Sequence, residues 1–129
     1  MKAATFALWK KSVLRSFMSV ISREELPFAG VSHEFVGEEH GVSVSLFLVN
    51  APPGRGPGLH RHAYDEVIVV QEGRAMCRVG DEGREVKAGD IISIPAGTPH
   101  SFTNCGDTPL RQIDVHAHPT LVSEWLDEK

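Results

Sequence analysis

After Pro27, short runs of β-forming residues alternate with turn signals along the rest of the chain. The loop of residues 50–58, for example, contains three prolines and three glycines, which interrupt regular structure. Several short strands with frequent turns are typical of a β-sandwich or β-barrel. The predicted strands span residues 42–49, 59–70, 75–79, 84–87, 91–94, 100–103 and 110–117. The sequence therefore predicts an all-β domain over residues 27–129.

Both ends of the chain have the apolar spacing of short helices. In the first 23 residues, apolar side chains recur every three to four positions, and the charged residues are all basic. The recurring apolar residues are Phe6, Trp9, Val13, Phe17 and Val20. This pattern predicts an amphipathic helix, which we assign to an N-terminal extension of residues 1–26. Residues 120–128 are predicted to form a short C-terminal helix with Leu121 and Trp125 facing inward.

Three interpretations of the N-terminal extension stay open. In the first, its helix docks on the domain or on a partner subunit. In the second, Met18 is the true start, so that residues 1–17 do not belong to the native product. In the third, the segment serves targeting or attachment to a membrane surface. A secretory signal peptide is not favoured, because Lys10 and Lys11 interrupt any apolar stretch.

The composition is that of an ordinary globular protein and argues against several classes of function. The 129 residues carry a formal net charge of −4, which does not suit binding to the phosphates of a nucleic acid. No apolar run approaches the roughly 18–20 residues of a membrane-spanning helix, so we expect no integral membrane segment. The two cysteines, Cys77 and Cys105, suggest no disulfide framework, and we therefore expect a cytoplasmic protein.

Two histidines and one glutamate in the predicted strand of residues 59–70 have the spacing of a metal site. His60, His62 and Glu66 are separated by even numbers of residues. Side chains so spaced point to the same face of a strand. Burying these groups without partners would be too costly, and one divalent metal ion would satisfy all three. One strand cannot surround an ion, which makes His100, from another predicted strand, a candidate fourth ligand.

Ten residues fall into two groups of five, each with the spacing of a known motif. Gly54, His60, His62, Glu66 and Gly73 match the first cupin motif, in which a glycine precedes His-x-His, a glutamate and a second glycine. Gly89, Pro95, Gly97, His100 and Asn104 match the second cupin motif, in which Pro-x-Gly precedes a histidine and an asparagine. The chain therefore resembles the cupin family over about residues 29–119, outside the N-terminal extension.

The resemblance implies a fold, a cofactor and an assembly. The implied fold is a small jelly-roll β-barrel. The implied cofactor is one divalent transition metal ion per chain, held by His60, His62, Glu66 and His100. Three imidazole nitrogens and one carboxylate suit Fe, Mn, Ni, Co, Zn or Cu, and a six-coordinate ion would keep two positions open. The single-domain size favours a homodimer, as in many members of the family.

These expectations favour a metal-dependent enzyme of the dioxygenase, isomerase or lyase type. Its substrate would be a small polar or carboxylated molecule coordinated at the metal. The alternative is a cupin that binds or senses a small molecule without turnover. A metal-independent sugar isomerase or epimerase is a third candidate, which the full ligand set makes less favoured.

Other residues have both a functional and a structural interpretation. Tyr64, Phe102 and Gln112 are candidate substrate-binding residues, although Tyr64 and Phe102 also suit ordinary packing. In the last strand, Gln112, Asp114 and His116 alternate with apolar residues, so this polar row faces either solvent or the cavity of the barrel. In the second case His116 is a candidate catalytic residue for proton transfer. Arg55 is either solvated or contacts an anionic substrate.

Overall fold

The computed structural model describes residues 17–126, which form two antiparallel β-sheets packed face to face. The strands are β1 (Phe28–Ala29), β2 (Ser32–Phe35), β3 (Ser45–Ala51), β4 (His60–Arg61), β5 (Glu66–Glu72), β6 (Arg74–Val79), β7 (Glu82–Lys87), β8 (Ile91–Ile94), β9 (His100–Asn104), β10 (Leu110–His116) and β11 (Glu124–Trp125). One sheet has the order β1-β2-β3-β10-β5-β8, and the other has the order β11-β4-β9-β6-β7. This arrangement confirms the predicted all-β jelly-roll.

The core lies between the sheets because alternate residues of each strand point inward. In β10, for example, Leu110, Gln112, Asp114 and His116 are buried while the residues between them are partly exposed. Apolar side chains from both sheets form one buried cluster: Val49, Ala51, Ile68, Val70, Ala75, Cys77, Val86, Ile94, Phe102 and Leu110. The polar residues of β10 lie toward one end of the space that this cluster fills.

The predicted C-terminal helix is wrong for the described residues. Residues 120–126 contain no helix; instead, Glu124 and Trp125 form β11 and pair antiparallel with β4. An ion pair between Arg61 and Glu124, with Nε 2.9 Å from Oε1, accompanies the pairing. Trp125 is 64% exposed and does not point into the core as predicted. The apolar spacing suited a helix, but pairing with the free edge of β4 determines the conformation.

The predicted N-terminal helix falls mainly on residues 1–16, which lie outside the described residues. Its last predicted turn is wrong, since residues 17–22 contain no helix. The helical structure within residues 17–126 consists of two short 3-10 turns, Arg23–Glu25 and Gly37–His40. No helix of these residues is long and apolar enough to cross a membrane.

The predicted strand of residues 59–70 is two strands that belong to different sheets. β4 ends at Arg61, and residues 62–65 cross to the other sheet, where β5 begins at Glu66. Asp65 fixes this crossing, because its carboxylate accepts a hydrogen bond from the Ala96 amide (2.8 Å) and its carbonyl accepts one from the Ala117 amide (3.0 Å). The parity argument for His60, His62 and Glu66 therefore rested on a continuous strand that does not exist.

The two cysteines should differ strongly in reactivity. Cys77 is buried in the core, where burial raises the pKa of its thiol to about 11, whereas Cys105 is exposed. Since the thiolate is the reactive form, only roughly one Cys77 in a thousand would be ionised at pH 8. We expect a thiol reagent to label one cysteine per native chain, and peptide mapping to identify it as Cys105. Rapid native labelling of Cys77 would contradict this packing, and denaturant should expose both thiols.

Candidate metal centre

Four buried side chains from three strands and one loop converge between the sheets. His60 begins the paired part of β4, His62 follows it directly, Glu66 is the first residue of β5, and His100 is the first residue of β9. His60 and His100 are cross-strand partners. The potential ligand atoms of all four residues lie within 4.8 Å of one another, so this group could hold a metal ion.

The outer nitrogen of each histidine in this group is held by a backbone carbonyl. The Nδ1 atoms of His60, His62 and His100 lie 2.8, 2.7 and 2.9 Å from the carbonyl oxygens of Gly58, Val122 and Thr98, respectively. A carbonyl can only accept a hydrogen bond, so each Nδ1 carries the proton and donates it. In the neutral imidazole, each Nε2 then carries a lone pair, which is the form that binds metal. The Nε2 atoms of His62 and His100 face Glu66 in the centre.

The contacts inside the centre call for a cation. Oε1 of Glu66 lies 2.9 Å from Nε2 of His100 and 3.2 Å from Nε2 of His62. With both Nδ1 atoms protonated, neutral rings would place lone pairs against the carboxylate, which is unfavourable unless a proton or metal ion lies among them. His62 Nε2 is buried without a hydrogen-bond partner among the described residues. The donor set therefore fits a divalent transition metal.

Burial and the neighbouring groups shift the pKa values of the centre in different directions. Burial would lower the pKa of His62, but its contact with Glu66 more than offsets this and raises the pKa. Burial lowers the pKa of His60 to about 4, which keeps its imidazole neutral at pH 7. Burial would raise the pKa of Glu66, but its close contacts with the imidazoles of His100 and His62 more than offset this and bring the pKa to about 2. The centre thus presents an ionised carboxylate beside a neutral imidazole.

His116 lies directly beside the four candidate ligands. Its Nδ1 is 2.9 Å from the Tyr64 hydroxyl, which itself lies 3.2 Å from both the carbonyl and the amide of Val122. When that hydroxyl donates to the carbonyl, it accepts from Nδ1–H of His116. His116 Nε2 then has a free lone pair 3.5 Å from Oε2 of Glu66 and no hydrogen-bond partner among the described residues.

The polar row of β10 faces the interior and not the solvent. Gln112, Asp114 and His116 are each no more than 3% exposed. Burial, with the nearby charge of Glu66, raises the pKa of Asp114 well above its ordinary value, and Gln112 donates a hydrogen bond to its carboxyl group (2.9 Å). Of the two interpretations of the sequence, the structure gives the one in which this row lies inside the barrel.

A cavity of about 340 Å³ opens onto the centre and joins it to the surface. Its lining contains His60, Glu66, Asp114 and His116 on the polar side, and Phe47, Val49, Phe102 and Trp125 on the apolar side. Of the three candidate substrate-binding residues, Phe102 lines this cavity, whereas Tyr64 and Gln112 do not. A larger groove of about 480 Å³ lies along β7 and β8, and none of the four candidate ligands lines it.

Two aromatic residues of the site were missed by the sequence reasoning. The ring of Phe47 on β3 meets His116 edge to face, with 5.0 Å between the ring centroids. The ring of Trp125 lies 4.9 Å from that of His60 and covers the centre from the C-terminal segment. The alternation in β3 could have indicated an inward residue, but the position of Trp125 depends on the pairing of β11 with β4.

The loop before His60 is tied to β9 over several residues. The Gly54 amide donates to the Asn104 carbonyl (2.9 Å), and the Asn104 amide donates to the Arg55 carbonyl (2.9 Å). Gly56 lies so close to β9 that a Cβ there would be 2.0 Å from the Phe102 carbonyl oxygen. The Asn104 side chain also donates to the carbonyls of Ala51 (2.9 Å) and Thr108 (2.8 Å). These two side-chain bonds connect the end of β9 to β3 and to the turn before β10.

The chain belongs to the cupin family, because the family model described as the cupin domain matches residues 47–116. The uncharacterized protein MJ1618 of Methanocaldococcus jannaschii is 40% identical over 72 residues, which are 55% of this chain and 58% of MJ1618. The oxalate-binding protein of Thermotoga maritima is 32% identical over 77 residues, 59% of this chain and 64% of that protein. The acireductone dioxygenase of Geobacillus thermodenitrificans is 32% identical over 74 residues, 53% of this chain and 39% of that enzyme.

The match thus spans less than two thirds of the length of each of these relatives. Among solved structures, a double-stranded β-helix protein of Klebsiella pneumoniae superposes with a TM-score of 0.70 and 20% identity. That superposition covers 86% of this chain and 99% of the other. At this identity the likeness supports the fold alone.

Substitution of Gly56 by alanine should destabilise the fold. The new Cβ would meet the β9 backbone, which cannot move aside as a side chain can. We expect a loss of roughly 1–3 kcal/mol in the free energy of unfolding, measured by denaturant titration. Gly58→Ala is the matched control in the same loop, because nothing lies within 4 Å of a Cβ there. Equal stability of the two variants would show that the loop does not lie against β9.

Proposed function

We propose that this protein is a metal-dependent enzyme that acts on a small polar or carboxylated molecule at a centre of three histidines and one glutamate. The observation that carries the proposal is the orientation of the imidazoles of His60, His62 and His100. Each donates Nδ1–H to a carbonyl, the Nε2 atoms of His62 and His100 face the Glu66 carboxylate, and a ligand atom of His60 lies within 4.8 Å of the other candidate ligand atoms. Such an arrangement has little purpose in a core that never receives a cation.

The bound ion would be one divalent transition metal per chain, with Fe, Mn, Ni, Co, Zn and Cu all compatible with the donor set. The metal would supply Lewis acidity, polarising a carbonyl or stabilising an enolate of the substrate. His116 would accept or return a proton at Nε2, since Tyr64 holds its Nδ1 and leaves Nε2 free. Phe47, Phe102 and Trp125 would exclude water from the reacting groups.

The reaction would be of the dioxygenase, isomerase or lyase type. Similarity to an acireductone dioxygenase supports the first of these, although the match covers only 39% of that enzyme. The cavity supports a substrate of modest size, because about 340 Å³ is at the small end of the usual range for ligand sites. Tyr64 and Gln112 would act indirectly, through His116 and Asp114 respectively, while Phe102 would contact the substrate.

The second candidate function is small-molecule binding or sensing without turnover. The similarity to an oxalate-binding protein favours it, since that name describes binding and not a reaction. Both candidates use the same metal centre. They differ in whether the bound molecule reacts, with His116 transferring a proton, or is only bound. The homodimer and the cytoplasmic location stay predictions.

Removal of two ligands should abolish metal binding. Purified protein is expected to contain about one metal ion per chain by elemental analysis, and His60→Ala combined with His62→Ala is expected to contain almost none. A chelator should also lower the melting temperature of the wild type, because a ligand bound only by the native state stabilises it.

His33→Ala combined with His40→Ala is the matched control, since it removes two histidines outside the metal centre. This control should keep its metal. A double ligand variant that stays fully loaded would mean that the ion binds elsewhere.

Replacement of His116 should distinguish between the two candidate functions, catalysis and binding without turnover. Once a substrate has been found by screening the metal-loaded protein, His116→Gln should lower turnover by about 100-fold or more and leave metal content unchanged. His118→Gln is the control, because His118 stacks on the far side of Tyr64 and does not line the cavity. Unchanged turnover in His116→Gln would remove His116 from the reaction, and a screen without any turnover would favour the binding module.

A further inference from the structure

A single cationic side chain lines the cavity of the metal centre, on the loop before His60. Arg55 contributes to the lining beside Gly56 and Pro57, and Glu34 lines it from β2. Within residues 17–126, the guanidinium of Arg55 makes no hydrogen bond or ion pair. Four other arginines do pair with a carboxylate: Arg23, Arg61, Arg74 and Arg111.

The backbone of Arg55 is held in place, even though its side chain has no partner in the part of the chain that the structure describes. Its carbonyl accepts the Asn104 amide, its own amide donates to the Pro52 carbonyl (3.1 Å), and the neighbouring Gly56 lies against β9. This part of the loop is therefore held by β9, the strand that begins with His100. Such anchoring lowers the backbone entropy that the loop loses when Arg55 binds a partner.

An arginine at this position adds a second point of recognition. A guanidinium binds carboxylates through two parallel hydrogen bonds, and partial removal from water strengthens the contact. Arg55 itself is exposed, so a bound substrate that lies against the apolar side of the cavity, formed by Phe47, Val49 and Phe102, would provide that partial removal. A substrate with an anionic group at Arg55 and an oxygen donor at the metal would thus be held at both ends.

We infer that Arg55 binds an anionic group of the substrate, so that the cavity selects small carboxylates with a second oxygen donor for the metal. This inference rests on the proposed metal centre and names the substrate class of that site. Glu34 is the like charge that opposes an anion in the same cavity. Its position predicts that the loss of its charge strengthens the binding of carboxylates.

The test uses full-length protein loaded with Co(II), whose visible absorption reports exchange of ligands at the metal. Malonate, succinate and glutarate are the anionic probes, and imidazole is the neutral probe that binds metal without Arg55. We expect at least one dicarboxylate to bind the wild type and to lose about tenfold or more in affinity in Arg55→Gln. Imidazole should bind both proteins equally.

Two further variants sharpen the test. Arg84→Gln removes an arginine that does not line this cavity and should leave every affinity unchanged. Glu34→Gln should increase dicarboxylate affinity and leave imidazole binding unchanged.

The failures are distinguishable. Imidazole binding without dicarboxylate binding, or equal dicarboxylate affinity in wild type and Arg55→Gln, would overturn the role of Arg55 and leave the metal centre intact. A wild type that takes up no Co(II) would overturn the proposed function and this inference together.

Discussion

The contact between Glu66 and the Nε2 atoms of His62 and His100 is the interaction on which the site depends. Glu66 comes from one sheet, and the histidines belong to or adjoin the other, so this contact closes one end of the barrel. With each Nδ1 already committed to a carbonyl, the space between them requires a positive charge. A metal ion would supply it and would bind the two sheets together.

The other residues of the site orient the side chains that make this contact. Backbone carbonyls of Gly58, Thr98 and Val122 orient the three imidazoles, and each carbonyl comes from a segment outside the regular strands. The C-terminal segment therefore has a direct role, because Val122 also holds the Tyr64 hydroxyl that fixes His116. Pairing of β11 with β4 places this segment over the centre, which a terminal helix could not do in the same way.

The sequence predicted the barrel and the four residues that cluster as candidate ligands, because the motif glycines, prolines and histidines have fixed spacings that a single chain displays directly. It also predicted short strands such as Ile91–Ile94 at their observed bounds. It did not predict that His60 and Glu66 lie on either side of a crossing between sheets, since β propensity continues through that crossing. β1, β2 and β11 were missed because pairing with neighbouring strands, and not local pattern, defines them.

The most direct test of the central claim is a crystal structure of the metal-loaded protein with anomalous diffraction measured at the absorption edge of the metal. The account predicts one anomalous peak per chain at about 2.0–2.2 Å from Nε2 of His60, His62 and His100 and from a Glu66 carboxylate oxygen. A peak bound by other residues, or density for a loaded ion that leaves these four side chains uncoordinated, would contradict it.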